Sequence, residues 1–262
     1  MQGGSGAGGG GTIAGVIALG TGGLTKLQSG RWTLTAANTY TGLTTISAGT
    51  LQLGNGLTGN DGTISSSAGI VDNATLAFNR FGTDTYSGVI SGTGGVTKLG
   101  TGTEILSGAN TYTGLTKIDL GILRLGASDR IADASSLLLN GGTFDSAGFS
   151  ETLGALEADA PSILDFGSGT SALSFADSDA QAWLGTLTIL NWTPGLDTFR
   201  VGIDGTGFDT QLALIQFADF GNAPGQIDAS GFITPLVVPE PSSALLSALG
   251  SLGLLIRLRR RS

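Results

Sequence analysis

One stretch of this sequence occurs in two similar copies, and this internal repeat constrains the fold more than any other feature. Residues 20–54 read GTGGLTKLQSGRWTLTAANTYTGLTTISAGTLQLG, and residues 92–126 read GTGGVTKLGTGTEILSGANTYTGLTKIDLGILRLG, an offset of 92 − 20 = 72 positions. The two copies are identical at 22 of the 35 aligned positions. A fixed internal period indicates that one supersecondary unit is stacked on copies of itself.

The residues shared by the copies indicate strands and turns rather than helices. Near the end of each copy, leucines occupy alternate positions, with Gln52 between them in the first copy and Arg124 in the second. Because successive side chains of a strand point to opposite faces, this pattern predicts that the leucines face a core and that Gln52 and Arg124 face solvent. Threonines and glycines between the apolar positions are typical of short strands joined by turns.

The 72-residue offset is longer than one coil of a β-solenoid, so residues 55–91 should hold further strands. The alternation within 74–79 and within 86–90 predicts two of them. Asn38 and Asn110 recur in the two copies, as do Tyr40 and Tyr112. We expect these side chains to stabilise the stack, as ladders between coils, rather than to bind a ligand.

The runs GTGGLTKLQSG, ANTYTGLTTI and GTLQLG resemble the autotransporter-associated β-strand repeat. This resemblance implies an all-β fold, a right-handed parallel β-helix, on a bacterial surface. We accordingly expect a glycine-rich lead-in or truncated upstream repeat at 1–19 and a β-solenoid at 20–160. Further β coils or a cap should follow at 161–235.

Composition excludes several kinds of chemistry. The chain has no cysteine and no histidine, which removes disulfides, Cys/His zinc sites and Ser-His or Cys-His catalysis. Its net charge of −8 makes binding to nucleic acid phosphates unfavourable. The first residues show no secretory signal pattern, so we expect a fragment or misplaced start with the export signal upstream.

Four aspartates and two tryptophans are the remaining candidates for a binding or catalytic site. Asp177 with Asp179, and Asp204 with Asp209, could form an acid pair or a calcium site, although aspartate is also common in turns. Trp183 and Trp192 could stack on sugars, although large aromatics in a β-rich segment more often belong to the core. We assign no catalytic, cofactor-binding or metal-binding residue.

The segment 236–262 carries a second resemblance. Val238-Pro239-Glu240-Pro241 precedes an apolar run at 244–256, and the chain ends on a basic tail that contains Arg257, Arg259, Arg260 and Arg261. The order of these parts resembles the PEP-CTERM sorting signal, which an exosortase reads and cleaves. The resemblance implies a short transmembrane helix at 244–256 that anchors the chain in the inner membrane, with the arginines kept in the cytoplasm as a stop.

Together these features predict a non-enzymatic exported surface or extracellular-matrix protein, sorted and cleaved at its C-terminal signal. Its predicted partners are the exosortase, the membrane and, as a candidate, extracellular polysaccharide. An adhesin or polysaccharide-binding module is one alternative, and a β-helix polysaccharide-degrading enzyme is another. An autotransporter passenger is less favoured. Three or more carboxylates and a basic residue in one groove would favour the enzyme, whereas exposed parallel tryptophans would favour sugar binding.

Overall fold

A computed structural model describes residues 9–64 and 68–236 of the chain. These residues form short β-strands, one helical turn and one 3-10 turn. In chain order the strands are β1 (Gly11–Ile13), β2 (Leu24–Lys26), β3 (Arg31–Leu34), β4 (Thr44–Ile46), β5 (Thr50–Leu53), β6 (Ile70–Asp72), β7 (Thr75–Phe78), β8 (Thr83–Tyr86), β9 (Ile90–Ser91), β10 (Gly95–Lys98), β11 (Thr103–Leu106), β12 (Thr116–Ile118), β13 (Ile122–Leu125), β14 (Leu137–Asn140), β15 (Thr143–Asp145), β16 (Glu151–Leu153), β17 (Leu156–Ala160), β18 (Ser162–Asp165), β19 (Ala172–Phe175), β20 (Leu187–Leu190), β21 (Thr198–Val201), β22 (Ile215–Phe217), β23 (Ala223–Ile227) and β24 (Phe232–Pro235). The helical turn α1 is Asp209–Leu212, and the 3-10 turn is Ala218–Phe220.

The strands stack into a parallel β-solenoid of about eight turns, which confirms the predicted fold class. Face A is an eight-stranded parallel sheet in the order β1-β3-β5-β7-β10-β12-β14-β17. Face C is the parallel series β8-β11-β13-β15-β18-β20-β22. Face B begins as β2-β4-β6-β9 and ends as β16-β19-β21. Backbone hydrogen bonds such as Thr111 N to Ile90 O and Asp129 N to Ser150 O connect the coils between these two parts.

The two copies of the repeat lie on different faces. In the first copy β2, β3, β4 and β5 lie on faces B, A, B and A, whereas in the second copy β10, β11, β12 and β13 lie on faces A, C, A and C. Three coils separate β2 from β9 on face B, and β10 is one face further along. The 72-residue offset therefore corresponds to three and one-third coils. Asn38 and Asn110 consequently do not stack on each other.

The strands between the copies follow the sequence pattern in part. The alternation within 74–79 is β7, as predicted, whereas 86–90 is the corner between β8 and β9 rather than one strand.

The alternate leucines of both copies are buried. Arg124 is 43% exposed, as predicted, but Gln52 is only 4% exposed, so the expectation for Gln52 is wrong. The Gln52 side chain donates a hydrogen bond to the Gly54 carbonyl at 2.7 Å and lies in register between Thr33 and Ala77, both buried.

An antiparallel hairpin ends the stack. β23 pairs with β22 on face C, β24 pairs with β21 on face B, and the two strands pair with each other. Because these pairings are antiparallel, the hairpin occupies the edges that the next parallel coil would use. We propose that this hairpin is the C-terminal cap of the solenoid.

Candidate functional site

The predicted sorting residues lie outside the described part of the chain. Val238, Pro239, Glu240 and Pro241, the apolar run 244–256, and the four arginines from Arg257 to Arg261 all follow residue 236. Across residues 9–64 and 68–236, no helix has the length and apolar character needed to cross a membrane. The sites that can be described therefore belong to the solenoid body.

Both copies contain a buried lysine that ties a corner of the solenoid together. Lys26 Nζ donates to the carbonyls of Gln28 and Ala48, the latter at 3.1 Å. The equivalent Lys98 Nζ donates to the carbonyls of Gly100 and Leu120, the latter at 3.3 Å. The two acceptors of each lysine belong to successive coils, so each ammonium group satisfies backbone carbonyls that a corner leaves without strand partners.

A glycine follows each of these corners for a steric reason. Gly49 and Gly121 are equivalent in the two copies, and both adopt φ of +70°. A Cβ on Gly49 would lie 2.5 Å from the carbonyl oxygens of Gln28 and Gly30, and a Cβ on Gly121 would be as close to backbone oxygens. The corner therefore needs glycine both for its left-handed backbone and for the close approach of the neighbouring coil.

The asparagines and tyrosines of the repeat bind neighbouring backbone and side chains. Asn38 Oδ1 accepts a hydrogen bond from Ile17 N at 2.9 Å, while its Nδ2 donates to Thr63 O at 2.9 Å. Asn110 makes the equivalent pair of bonds with the coils before and after it. Tyr40 and Tyr112 are fully buried, and each hydroxyl bonds the threonine four residues later. Each asparagine thus clamps three successive coils.

The second copy adds a buried ionic cluster. Arg80 is 1% exposed, pairs with Asp84 and places Nη1 at 3.3 Å from Oε2 of the fully buried Glu104. Burial raises the pKa of Glu104 to about 7, although the charges of Arg80 and Lys98 act in the opposite direction. Burial also lowers the pKa of Lys98 to about 8. This cluster could not be predicted from the repeat, because Arg80 lies outside both copies.

The four candidate aspartates meet at the capped end, where they are exposed. Asp179 N donates to Asp177 Oδ1 at 3.0 Å. Desolvation raises the pKa of the Asp179 carboxyl, and the negative charges of Asp177, Asp204 and Asp209 raise it further. Within the described residues, no group of three or more acidic, histidine or cysteine side chains is arranged to hold a metal ion. We call these four residues the acidic patch.

The two candidate tryptophans belong to the core. Trp183 is 8% exposed, donates through Nε1 to Leu156 O at 3.0 Å and packs edge-on against Phe208. Trp192 is 6% exposed and makes similar edge contacts with Phe166 and Phe217. Their rings therefore stabilise the last coils and do not form an exposed stacking platform for sugars.

A polar groove of about 340 Å³ runs along face C. Arg124 Nε donates to Asp145 Oδ2 at 2.7 Å, and Asn191 Nδ2 donates to Asp165 Oδ1 at 2.7 Å. Asp145 and Asp165 are register partners on adjacent strands. Ser168 adds a hydroxyl at the rim. The groove thus presents hydrogen-bonding side chains from four successive coils, but only two carboxylates.

An apolar groove of about 400 Å³ lies at the capped end. Its walls are mainly aromatic and proline side chains, with few polar groups: Trp192, Pro194, Phe199, Phe220, Phe232 and Pro235. Pro235, one residue before the described chain ends at Leu236, is part of its wall. This groove could not be predicted from local patterns, because its wall residues come from three separate segments between residues 192 and 235. The apolar residues of FITPL, next to the sorting segment, were the available signal.

The fold defines a class, that of repeat-built parallel β-solenoids, and both the repeat and the C-terminal segment match known family models. The two copies match, over residues 24–53 and 96–125, the family model described as passenger-associated-transport-repeat. Residues 237–261 match the model described as PEP-CTERM protein-sorting motif. Both resemblances are thereby confirmed, and the sorting motif implies export to the cell envelope and an exosortase as processing partner. No curated protein and no solved structure matches the chain.

Proposed function

We propose that this protein is a non-enzymatic structural component of the cell surface or extracellular matrix, released from an inner-membrane anchor by cleavage at its sorting motif. The carrying observation is the match of residues 237–261 to the sorting motif, directly after a solenoid that ends in an antiparallel hairpin. In this proposal 244–256 anchors the chain, the arginines from Arg257 to Arg261 hold its end in the cytoplasm, and 238–241 is the recognition motif.

Terminal peptide mass spectrometry of protein from the producing cells and their medium tests cleavage. We expect a new C-terminus within 238–242 and loss of the arginine tail. A variant with Pro239→Ala, Glu240→Ala and Pro241→Ala should keep its tail in the membrane fraction, whereas the control Pro161→Ala, at an exposed proline of the body, should be cleaved normally. An intact Ser262 on the mature wild-type protein would contradict the proposal.

A second candidate function, binding of extracellular polysaccharide, is favoured by the polar groove on face C. Its arginine, aspartate, asparagine and serine side chains come from successive coils, so they form a row along the solenoid axis that suits the hydroxyls of an extended glycan. Ser168→Trp should fill the groove, whereas Thr170→Trp adds the same ring at an exposed position outside it. In polysaccharide-containing native gels, only Ser168→Trp should lose retardation. Equal retardation of both variants would reject this groove.

The enzyme alternative receives less support from the same groove. It combines two carboxylates with one arginine, which falls short of the three or more carboxylates expected of such a site. An assay for new reducing ends after incubation of the protein with the polysaccharide that it retains would detect depolymerisation. If new reducing ends form with the wild-type protein but not with the Ser168→Trp variant, the protein is an enzyme that acts through this groove, and the non-enzymatic proposal is rejected.

A further inference from the structure

The capped end of the solenoid combines an apolar groove with a strongly acidic surface. β21 connects the two: Thr198 and Phe199 line the groove, and Asp204 of the acidic patch follows three residues after the strand ends. At about 3.3 Å per residue, the groove and Asp204 lie within roughly 20 Å of each other. A ligand that is apolar in one part and basic in the next could therefore occupy both.

The C-terminal part of the solenoid body is strongly acidic. Residues 131–236 contain thirteen acidic residues and a single basic one, Arg200. The Arg200 guanidinium is already engaged, because Nε donates to Ser230 O at 3.0 Å and the group lies over the Phe232 ring. Apart from Arg200, residues 131–236 thus supply no basic side chain to balance the acidic patch. The accumulated negative charge attracts a cationic segment.

The segment that leaves this end of the body has the complementary composition. Leu236 N donates to Pro224 O at 2.8 Å, which holds the exit of the chain beside the groove. An apolar run at 244–256 follows, and four of the last six residues are arginines. The 21 residue-to-residue steps from Leu236 to Arg257 can span up to about 70 Å, so length does not prevent this segment from reaching either surface.

We propose that, when the chain is not in a membrane, the apolar run 244–256 docks into the apolar groove and the basic tail from Arg257 to Arg261 contacts the acidic patch. A groove of about 400 Å³ lies within the roughly 300–1,000 Å³ typical of pockets for drug-sized ligands, so it can take a few apolar side chains of the run while the rest of the run stays outside it. Docking covers leucines that water would otherwise contact. The same segment can then leave the groove for the bilayer, because it is held by reversible contacts.

Site-directed cross-linking in the full-length chain tests this docking, and the absence of native cysteines makes each introduced pair unambiguous. The test pair is Thr198→Cys with Leu252→Cys, and the control pair is Thr152→Cys with Leu252→Cys. Thr152 and Thr198 are both exposed on face B, two strands apart in the order β16-β19-β21. The tether from residue 236 to residue 252 is the same in both pairs.

In detergent-free buffer we expect intramolecular disulfide formation at least fivefold faster in the test pair than in the control pair. Replacing Arg257, Arg259, Arg260 and Arg261 by serine in the test pair should reduce its rate towards that of the control. Equal rates in the two pairs would overturn the proposal. So would disulfide-linked dimers formed by mixing Thr198→Cys chains with Leu252→Cys chains, since the groove would then hold the tail of a second copy. Either failure leaves cleavage at the sorting motif untouched.

Discussion

The two copies of the repeat use the same corner in different electrostatic surroundings. In the first copy Lys26 Nζ lies 5.7 Å from the ring centroid of Trp32. In the second copy the position equivalent to Trp32 is Glu104, so Lys98 interacts electrostatically with a buried carboxylate and with Arg80, which pairs with that carboxylate. The backbone bonds of both lysines are the same. The repeat therefore fixes the corner, while one variable position decides whether the lysine is stabilised by an aromatic ring or by an ionic cluster.

Removing Arg80 should be the most damaging single change to the second corner. Above pH 7, where Glu104 is mostly ionised, Arg80→Met leaves its buried carboxylate without its nearest positive charge, which typically costs about 3–5 kcal/mol. Hydrogen exchange measured by mass spectrometry should show that Arg80→Met accelerates exchange, relative to the wild type, more in β8–β13 than in β2–β5. The effect is local because coils of a solenoid unfold partly independently.

The double variant Arg80→Met with Glu104→Leu is the control for that prediction. Because both charges are removed together, most of the lost protection in β8–β13 should return. If the single and double variants exchange equally fast, the damage comes from lost packing of the arginine stem and the ionic account of this corner is wrong.

The stability of the second corner should fall as the pH rises from about 4.5 to about 7. The pKa of Glu104 is raised from 4.5 to about 7 in the folded protein, so its contribution is fully present below the lower value and is lost through the higher one. The expected loss is roughly 2–3 kcal/mol. Urea unfolding across this pH range measures it. Glu104→Gln should flatten the profile only in part, because the pKa values of Asp72 and Glu151 are also raised, to about 6 and about 7.

Replacing each corner lysine by methionine should separate the contribution of the backbone hydrogen bonds, which both lysines make, from that of the charge interaction with Glu104, which only Lys98 makes. Lys26→Met and Lys98→Met both leave carbonyls of two coils without a donor, at a cost of about 1–3 kcal/mol. Above pH 7, Lys98→Met should cost roughly 1 kcal/mol more, because Glu104 also loses a neighbouring positive charge. Unfolding midpoints measured between pH 7 and pH 8, where Glu104 and Lys98 are both mostly charged, compare the two variants, and a larger cost for Lys26→Met would contradict this prediction.

The smallest effect is expected from the aromatic partner in the first corner. Trp32→Phe keeps a buried ring but weakens the cation–π contact with Lys26 and should cost about 0.5–1 kcal/mol. In a Lys26→Met background the same substitution should cost less, and a double-mutant cycle on unfolding free energies measures the difference. A coupling of zero would show that the ring contributes by packing alone.

Local sequence patterns predicted the fold well, because the alternation of side chains that marks a strand depends only on adjacent residues. The alternating leucines, the turn glycines and the terminal motif each depend on a few adjacent residues, and each was read correctly. The placement of the copies on different faces could not be predicted, because it depends on the lengths of the coils between them. Arg80, the apolar groove and the burial of Gln52 were missed for a related reason: their partners come from other coils.

The offset of three and one-third coils has a consequence for assembly. Each copy is turned by about one third of a revolution relative to the previous one, so the repeat follows a screw around the solenoid axis. An array with this spacing would return to its first face only after three copies, or 3 × 72 = 216 residues. Any lateral contact encoded in the repeat would then be offered on three sides of the rod. Rods of that kind could contact neighbours on three sides, as a branched network requires, instead of pairing along one side.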